Sequence, residues 1–337
     1  MKQIKKIIIA LLSFTTVTHT QPTFKKAWQN MQRVYSKLES KFSDYVKHDK
    51  EKFHTSSWIK RMAGIRKTIK GPCNQHFLNT KDIRSTMIRG SYEDYQRIEE
   101  CYLTYCTSPA MRKLIEIFKK KNREADWIPG QRSTLYNCSV NSLGHLYYAI
   151  RALEKNDEPN VIVEFGGGYG NLARIFKMFV PKSTIIIIDL PELLSIQHLF
   201  LSYMMPDTEI VVHEESTHTF KKGCIHLIPI YVIQESTINA DLFISNFAIT
   251  ESPYSVQDLV IEKQFFDAST CYLTGQLNGW KDGGCAWIPD HEHLINNTKK
   301  LYRYTDCTPY HIFRPDLLNF ELIAHIQKNK LCLGKKL

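Results

Sequence analysis

The ten residues from Val161 to Gly170 read V-I-V-E-F-G-G-G-Y-G, an apolar run that ends in four glycines within five positions. An apolar, β-branched run of this length is a buried strand, and the glycines after it allow the positive φ angles of a tight turn. The next residues, Asn171 to Phe179, repeat their apolar positions at helical spacing, so a strand–turn–helix unit is expected here. The same alternation continues downstream. Further strands are expected at Thr184 to Ile188, Glu209 to Val212, Asp241 to Ser245 and Cys271 to Thr274, with helices over Gly170 to Phe179, Pro191 to Met204 and Val256 to Phe266. Near-continuous apolar strands alternating with helices predict a mostly parallel sheet covered on both faces.

The residues before this region have another character. From Phe24 to about Trp58 the aromatic and aliphatic positions (Trp28, Val34, Tyr35, Leu38, Phe42, Tyr45) follow helical spacing, and Gly71-Pro72 breaks the pattern. Residues 91–121 repeat at three and four, with Ser108-Pro109 opening a helix in its first turn. Trp127-Ile128-Pro129-Gly130 reads as a linker, and Val140 to Leu153 as the helix that leads into the first strand. The expected division is a segment 1–22, a helical region 23–130 and an α/β domain 131–337.

The N-terminal segment places Lys2, Lys5 and Lys6 before the apolar run Ile7 to Phe14, with small residues before Gln21. That is the layout of a secretory signal, and the run is too short for a comfortable membrane span. A merely hydrophobic N-terminal helix is the other reading.

The chain carries a formal charge of +10, but residues 1–70 hold 16 Lys and Arg against 4 Asp and Glu, and the remainder holds 28 against 30. The α/β region therefore has no bulk attraction for phosphate, and nucleic acid is not an expected partner there. Any weak contact with a membrane or polyanion belongs to residues 1–70. Nine cysteines contain no C-x-x-C pair, so neither a zinc cluster nor a disulfide framework is indicated. No metal is expected.

Two details decide what the glycine turn is for. A dinucleotide site would need G-x-G-x-x-G, with glycine at 166, 168 and 171, and position 171 is Asn171. Glu164, at the strand's carboxyl end, would also repel a pyrophosphate. S-adenosyl-L-methionine brings an ammonium and a sulfonium instead, and an acidic rim suits it. A nicotinamide oxidoreductase is disfavoured by the same charge argument. Asp189 ends the second strand 19 residues after Gly170, where a carboxylate accepts hydrogen bonds from ribose hydroxyls. The alternative for Asp189 is a cap on the helix begun by Pro191. Asn246 falls on the same rim and faces the methionine part or the acceptor. It is followed by Phe-Ala-Ile-Thr and not by the Pro-Pro-aromatic run of adenine amino-methyltransferases, so a hydroxyl acceptor is favoured over a base nitrogen.

Together V-I-V-E-F-G-G-G-Y-G-N-L-A-R, I-I-I-I-D-L-P-E-L-L and D-L-F-I-S-N-F-A-I-T-E resemble the sugar O-methyltransferases, a family of class I S-adenosylmethionine-dependent methyltransferases associated with glycan biosynthesis. The helix V-N-S-L-G-H-L-Y-Y before the first strand is similar too. The resemblance spans roughly residues 132 to 280 and is most specific in its first two motifs. It implies a Rossmann-like, mostly parallel sheet, with Glu164, Gly166, Gly168, Gly170 and Asp189 binding the cofactor and a sugar or small polyol as acceptor.

Transfer of a methyl group to an alcohol profits from a base. Glu251 is the first candidate, with a solvent-facing carboxylate as its bland alternative. His291 and His293, in Pro289-Asp-His-Glu-His293, are the others, and their alternative is a polar surface loop. A metal at Asp290, His291 and His293 has no diagnostic spacing. His145 is read as a core histidine. An RNA or protein methyltransferase using the basic arm, and a non-catalytic cofactor-binding protein, are the competing functions. The cofactor is made in the cytosol, which favours a cytoplasmic location over the export implied by the N-terminal segment.

Overall fold

The computed structural model describes residues 23–45, 56–88, 93–122, 128–276, 292–301, 304–314 and 317–325. The signal-like segment 1–22 lies outside them. Among the described residues no helix is long and apolar enough to cross a membrane.

Among the described residues the chain begins with the helices α1 (Phe24–Tyr45), α2 (Ser56–Lys70), α3 (Lys81–Met87), α4 (Glu93–Thr104) and α5 (Pro109–Lys121). The long helix expected from Phe24 to about Trp58 is described as α1 only to Tyr45, and Trp58 belongs to α2. Ser108 caps α5 with Pro109 in its first turn, as expected, and its side chain accepts from the Met111 amide at 3.4 Å. A two-rung ribbon, Arg132–Ser133 against Cys138–Ser139, leads into α6 (Val140–Leu153).

The sheet follows in chain order as β1 (Val161–Phe165), α7 (Asn171–Phe179), β2 (Thr184–Asp189), α8 (Pro191–Met204), β3 (Ile210–Val212), β4 (Ile225–Pro229), β5 (Leu242–Asn246), α9 (Tyr254–Glu262) and β6 (Thr270–Gln276). It ends with α10 (Glu292–Leu301), β7 (Tyr304–Arg314) and β8 (Leu317–His325). The strand order is β3-β4-β2-β1-β5-β6-β8-β7. β8 alone runs antiparallel to both neighbours, and the pairs from β3 through β6 are all parallel. This is the expected Rossmann-like, mostly parallel α/β sheet beside a helical N-terminal region. All of β2 and β4 is buried, which accounts for their near-continuous apolar character.

Three departures have local causes. β4 was not expected, because His226 interrupts a short apolar run and the strand identity comes from its pairing between β2 and β3. The β7–β8 hairpin was not expected either. The expected helix Val256 to Phe266 ends at Glu262, and Gln264 to Asp267 take left-handed φ angles of 50° to 59°. That turn drops Phe265 and Phe266 onto Phe243, with ring centroids 5.3 and 5.9 Å away.

The N-terminal helices pack on the sheet's own helices. Ala27, Trp28, Met31, Tyr35, Leu38 and Phe42 form the buried stripe of α1, which packs along α8. Part of the basic charge of this region is answered within the fold: Lys37 pairs with Glu214, Lys41 with Glu215, Lys70 with Glu39, and Arg66 with the buried Glu192 at 2.6 Å. The last pair ties α2 to the first turn of α8.

Candidate active site at the sheet's switch point

From β1 the chain runs outward through β2 to the edge strand β3, fills the place between them with β4, and then crosses to β5 on the other side of β1. A reversal of this kind leaves a crevice beyond the carboxyl ends of the strands. A cavity of about 300 Å³ lies there. Its floor is the glycine turn after β1. Glu164 and Asp189 from the tips of β1 and β2 line one side, and Asn246, Phe247 and Glu251 after β5 line another. Leu190, Leu193 and Ile230 make an apolar wall, and Trp58, Thr86, Met87 and Ile88 close the cavity from α2 and from α3 and its C-terminal end.

The turn needs glycine for space as well as for conformation. Gly166 has φ +79°, and a methyl group there would sit 1.9 Å from the Ala248 Cβ. The loops after β1 and β5 are therefore in direct contact. Gly168 has φ +55° with open space where a side chain would point, so its backbone is bare toward the cavity. Gly170 does not line the cavity, although it was expected to bind the cofactor. At φ +96° it starts α7 and packs on Leu201. Asn171, where a dinucleotide site would have its third glycine, is fully buried. Its side-chain amide donates to the Ser142 hydroxyl at 2.9 Å and accepts from Arg174 at 2.8 Å, fastening α7 to α6.

Glu164 is 3% exposed, and its Oε2 has no hydrogen-bond partner. Burial, with the Asp189 carboxylate close by, pushes its carboxyl up to about 8. Asp189 is pushed up to about 7 by burial, against the pull of donors from the Leu190 amide at 2.8 Å and Gln197 Nε2 at 2.7 Å. The acidic rim expected from sequence is thus not a fixed pair of negative charges. Burial disfavours the ionised form of both carboxyls, and a cation in the cavity would favour it. Asp189 does meet the Leu190 amide as its capping alternative required, and it also lines the cavity.

Binding of a cationic ligand is therefore expected to release protons. Its affinity should rise as pH goes from about 6 to about 9, because a cation binds the ionised carboxylates and must displace their protons below that range. Calorimetry in buffers of different ionisation enthalpy measures the proton release, and a pH-independent affinity would contradict the two carboxyl assignments.

Glu251 ends a 3₁₀ turn, Ile249–Glu251, and lines the cavity half-buried. Burial pushes its carboxyl up to about 7, partly opposed by Arg61. The turn is well fixed: Phe247 holds φ +63°, its amide donates to Thr274 O at 2.8 Å, and its own carbonyl accepts from the Thr250 hydroxyl at 2.7 Å. Asn246 lines the cavity and accepts from the Thr274 hydroxyl at 3.1 Å.

The chain matches no protein-family model and no curated relative. Among solved structures it is similar to EvdMO1, with a TM-score of 0.39 and 12% identity over 66% of this chain, and it spans 49% of that one. The N-terminal domain of EvdMO1, solved in the presence of SAH and D-fucose, gives 0.42 and 11% identity over 71% of this chain and all of that one. The small RNA methyltransferase HEN1 gives 0.41 and 12% identity over 62% of this chain and 27% of that one. These are likenesses of overall shape, and the fold assignment stands on the strand order.

His291 and Asp290 lie outside the described residues. His293 belongs to the first turn of α10, where a loop was expected. Sequence reading took His145 for a core residue, yet its ring lines the cavity beside Tyr169, with centroids 5.8 Å apart. Trp58 and Gln197 were also missed. No sequence spacing brings α2 over the cavity, whereas Gln197, two turns into α8 and eight residues after Asp189, is placed by helical geometry to turn back toward it.

Proposed function

We propose that this chain is an S-adenosylmethionine-dependent methyltransferase acting on a hydroxyl of a sugar or related small polyol. The observation that carries the reading is the pair of buried carboxyls, Glu164 and Asp189, set around a bare glycine turn, with one Glu164 oxygen lacking any partner. A buried, unsatisfied carboxyl is costly to keep and is repaid by a ligand cation. A pyrophosphate in the same place would meet carboxyls it repels as soon as they ionise. The residues present fit the cofactor: Glu164 for its ammonium or sulfonium, Asp189 for ribose hydroxyls, and Leu190, Leu193 and Ile230 for a flat apolar base.

When bound, S-adenosylmethionine supplies an electrophilic methyl group and a thioether leaving group. The protein must hold the acceptor oxygen in line with the carbon–sulfur bond. Glu251, whose carboxyl burial pushes up to about 7, would take the hydroxyl proton as the acceptor oxygen gains the methyl group and the thioether leaves. The acceptor is assigned to the part of the cavity between Glu251 and Ser252 on one side and Trp58, Met87 and Ile88 on the other. The sugar class rests on the motif resemblance and on the residues after Asn246. The need for a cytosolic methyl donor supports a cytoplasmic location.

Calorimetric titration with S-adenosylhomocysteine and, separately, with NADPH tests the reading. Binding of the first and silence with the second is expected. Binding of NADPH alone overturns it. For the base, Glu251→Gln is expected to lower kcat roughly a hundredfold on methyl glycosides with labelled donor, while S-adenosylhomocysteine affinity stays within about twofold. An unchanged kcat would remove Glu251 from the chemistry. Acceptor binding that weakens steeply with salt would point instead to a polyanionic substrate held by the basic region.

A further inference from the structure

We propose that Gln197 is a positioning residue that fixes Asp189 to read the vicinal hydroxyls of the ribose; this rests on the reading above. Gln197 projects from α8, is fully buried and does not itself line the cavity. Its Nε2 donates to Asp189 Oδ2 at 2.7 Å and to the Gly168 carbonyl at 3.1 Å. One amide group thus joins the ribose carboxylate to the bare glycine of the turn. The fit is close, since a methyl group on Gly167 would lie 3.0 Å from that nitrogen. The Leu190 amide donates to the other carboxylate oxygen at 2.8 Å and the Gly167 amide adds a third donor, so Asp189 is held from several sides where it lines the cavity.

Stability alone does not account for a glutamine here. Its Oε1 is buried without a partner, and turning the amide over would set that oxygen against two other oxygens. An apolar side chain of the same length would avoid the unpaired carbonyl but would take the donor away from Asp189 Oδ2 and the Gly168 carbonyl, so the glutamine is kept for what it holds in place. What the amide adds is a fixed direction for Asp189 and a fixed carbonyl at Gly168. A carboxylate held edge-on accepts from both hydroxyls of a vicinal diol, whereas one free to rotate does not distinguish a diol from a single hydroxyl.

The test compares S-adenosylhomocysteine with its 2′-deoxy analogue by calorimetry on the full chain. The wild-type protein is expected to favour the diol about tenfold or more. In Gln197→Met, affinity for S-adenosylhomocysteine should fall about tenfold and the preference should shrink to within about twofold, in a variant that still folds. A merely structural role would weaken both ligands equally and keep the ratio. That result, or a wild-type protein indifferent to the 2′-hydroxyl, overturns the proposal while leaving the methyltransferase reading intact. If neither compound binds the wild-type protein, both fall. Should Gln197→Met not fold, Gln197→Glu serves instead: its carboxylate beside Asp189 should erode the preference increasingly between pH 6 and 8, and a constant ratio would overturn the proposal.

Discussion

Glu164→Gln is expected to raise the melting temperature of the ligand-free protein by a few degrees and to weaken S-adenosylmethionine binding about a hundredfold. The two effects share one cause. Glu164 holds its proton up to about 8, whereas the same side chain in an unfolded chain loses it near 4.5. A carboxyl raised in the folded state contributes no penalty below 4.5, a growing one as pH rises toward 8, and a constant one above that. At pH 7 the difference amounts to at most roughly 3 kcal/mol, and glutamine removes it. The gain in melting temperature should therefore be larger at pH 8 than at pH 5. Binding moves the opposite way because the neutral amide gives no charge-assisted contact to the ligand's cation, a loss of about 2 to 3 kcal/mol. Scanning calorimetry at the two pH values and titration with the cofactor measure both sides. A variant that binds as tightly as the wild type would show that Glu164 is not where the cation sits.

Gly166→Ala should abolish measurable S-adenosylhomocysteine binding and destabilise the fold by roughly 2 to 5 kcal/mol. The new methyl group would lie 1.9 Å from the Ala248 Cβ, on a backbone at φ +79°, so the loop after β1 or the loop after β5 has to move. The second of these carries Phe247 and Glu251 directly after Asn246, and displacement of either loop opens the cavity. Gly168→Ala is the informative partner. At φ +55° with no atom within 4 Å of the added carbon, it should cost stability only about 1 kcal/mol, yet it places a methyl group on the face of the turn that lines the cavity. Equal loss of stability in the two variants, or wild-type binding by Gly166→Ala, would contradict this account of the turn.

The regular part of the molecule was legible in the chain. β1, β2 and α8, the glycine turn, Asp189 at a strand tip and the Ser108-Pro109 start of α5 all follow from local pattern. Buried parallel strands must be apolar along their whole length, and a helix start needs its cap within three residues. Elements held by partners distant in sequence were not legible. β4 is a strand because Ile185 to Asp189 pair with it, and β8 because β6 and β7 accept it between them. The left-handed turn at Gln264 to Asp267 follows from where Phe243 lies.

The division is sharper at the site. By itself the sequence determined which groups the strand tips present: a glycine turn, two carboxyls and an asparagine on one rim, since parallel strands deliver their carboxyl ends to a common edge. Only the tertiary structure decided what those groups are. Burial pushes the Glu164 and Asp189 carboxyls upward, Gly170 starts a helix and does not line the cavity, Gln197 donates to Asp189 and Trp58 closes the cavity from an N-terminal helix. Residue order fixes local conformation and the chemistry on offer; the charge state and reach of a side chain depend on solvent exclusion and on neighbours that the chain brings together from far apart.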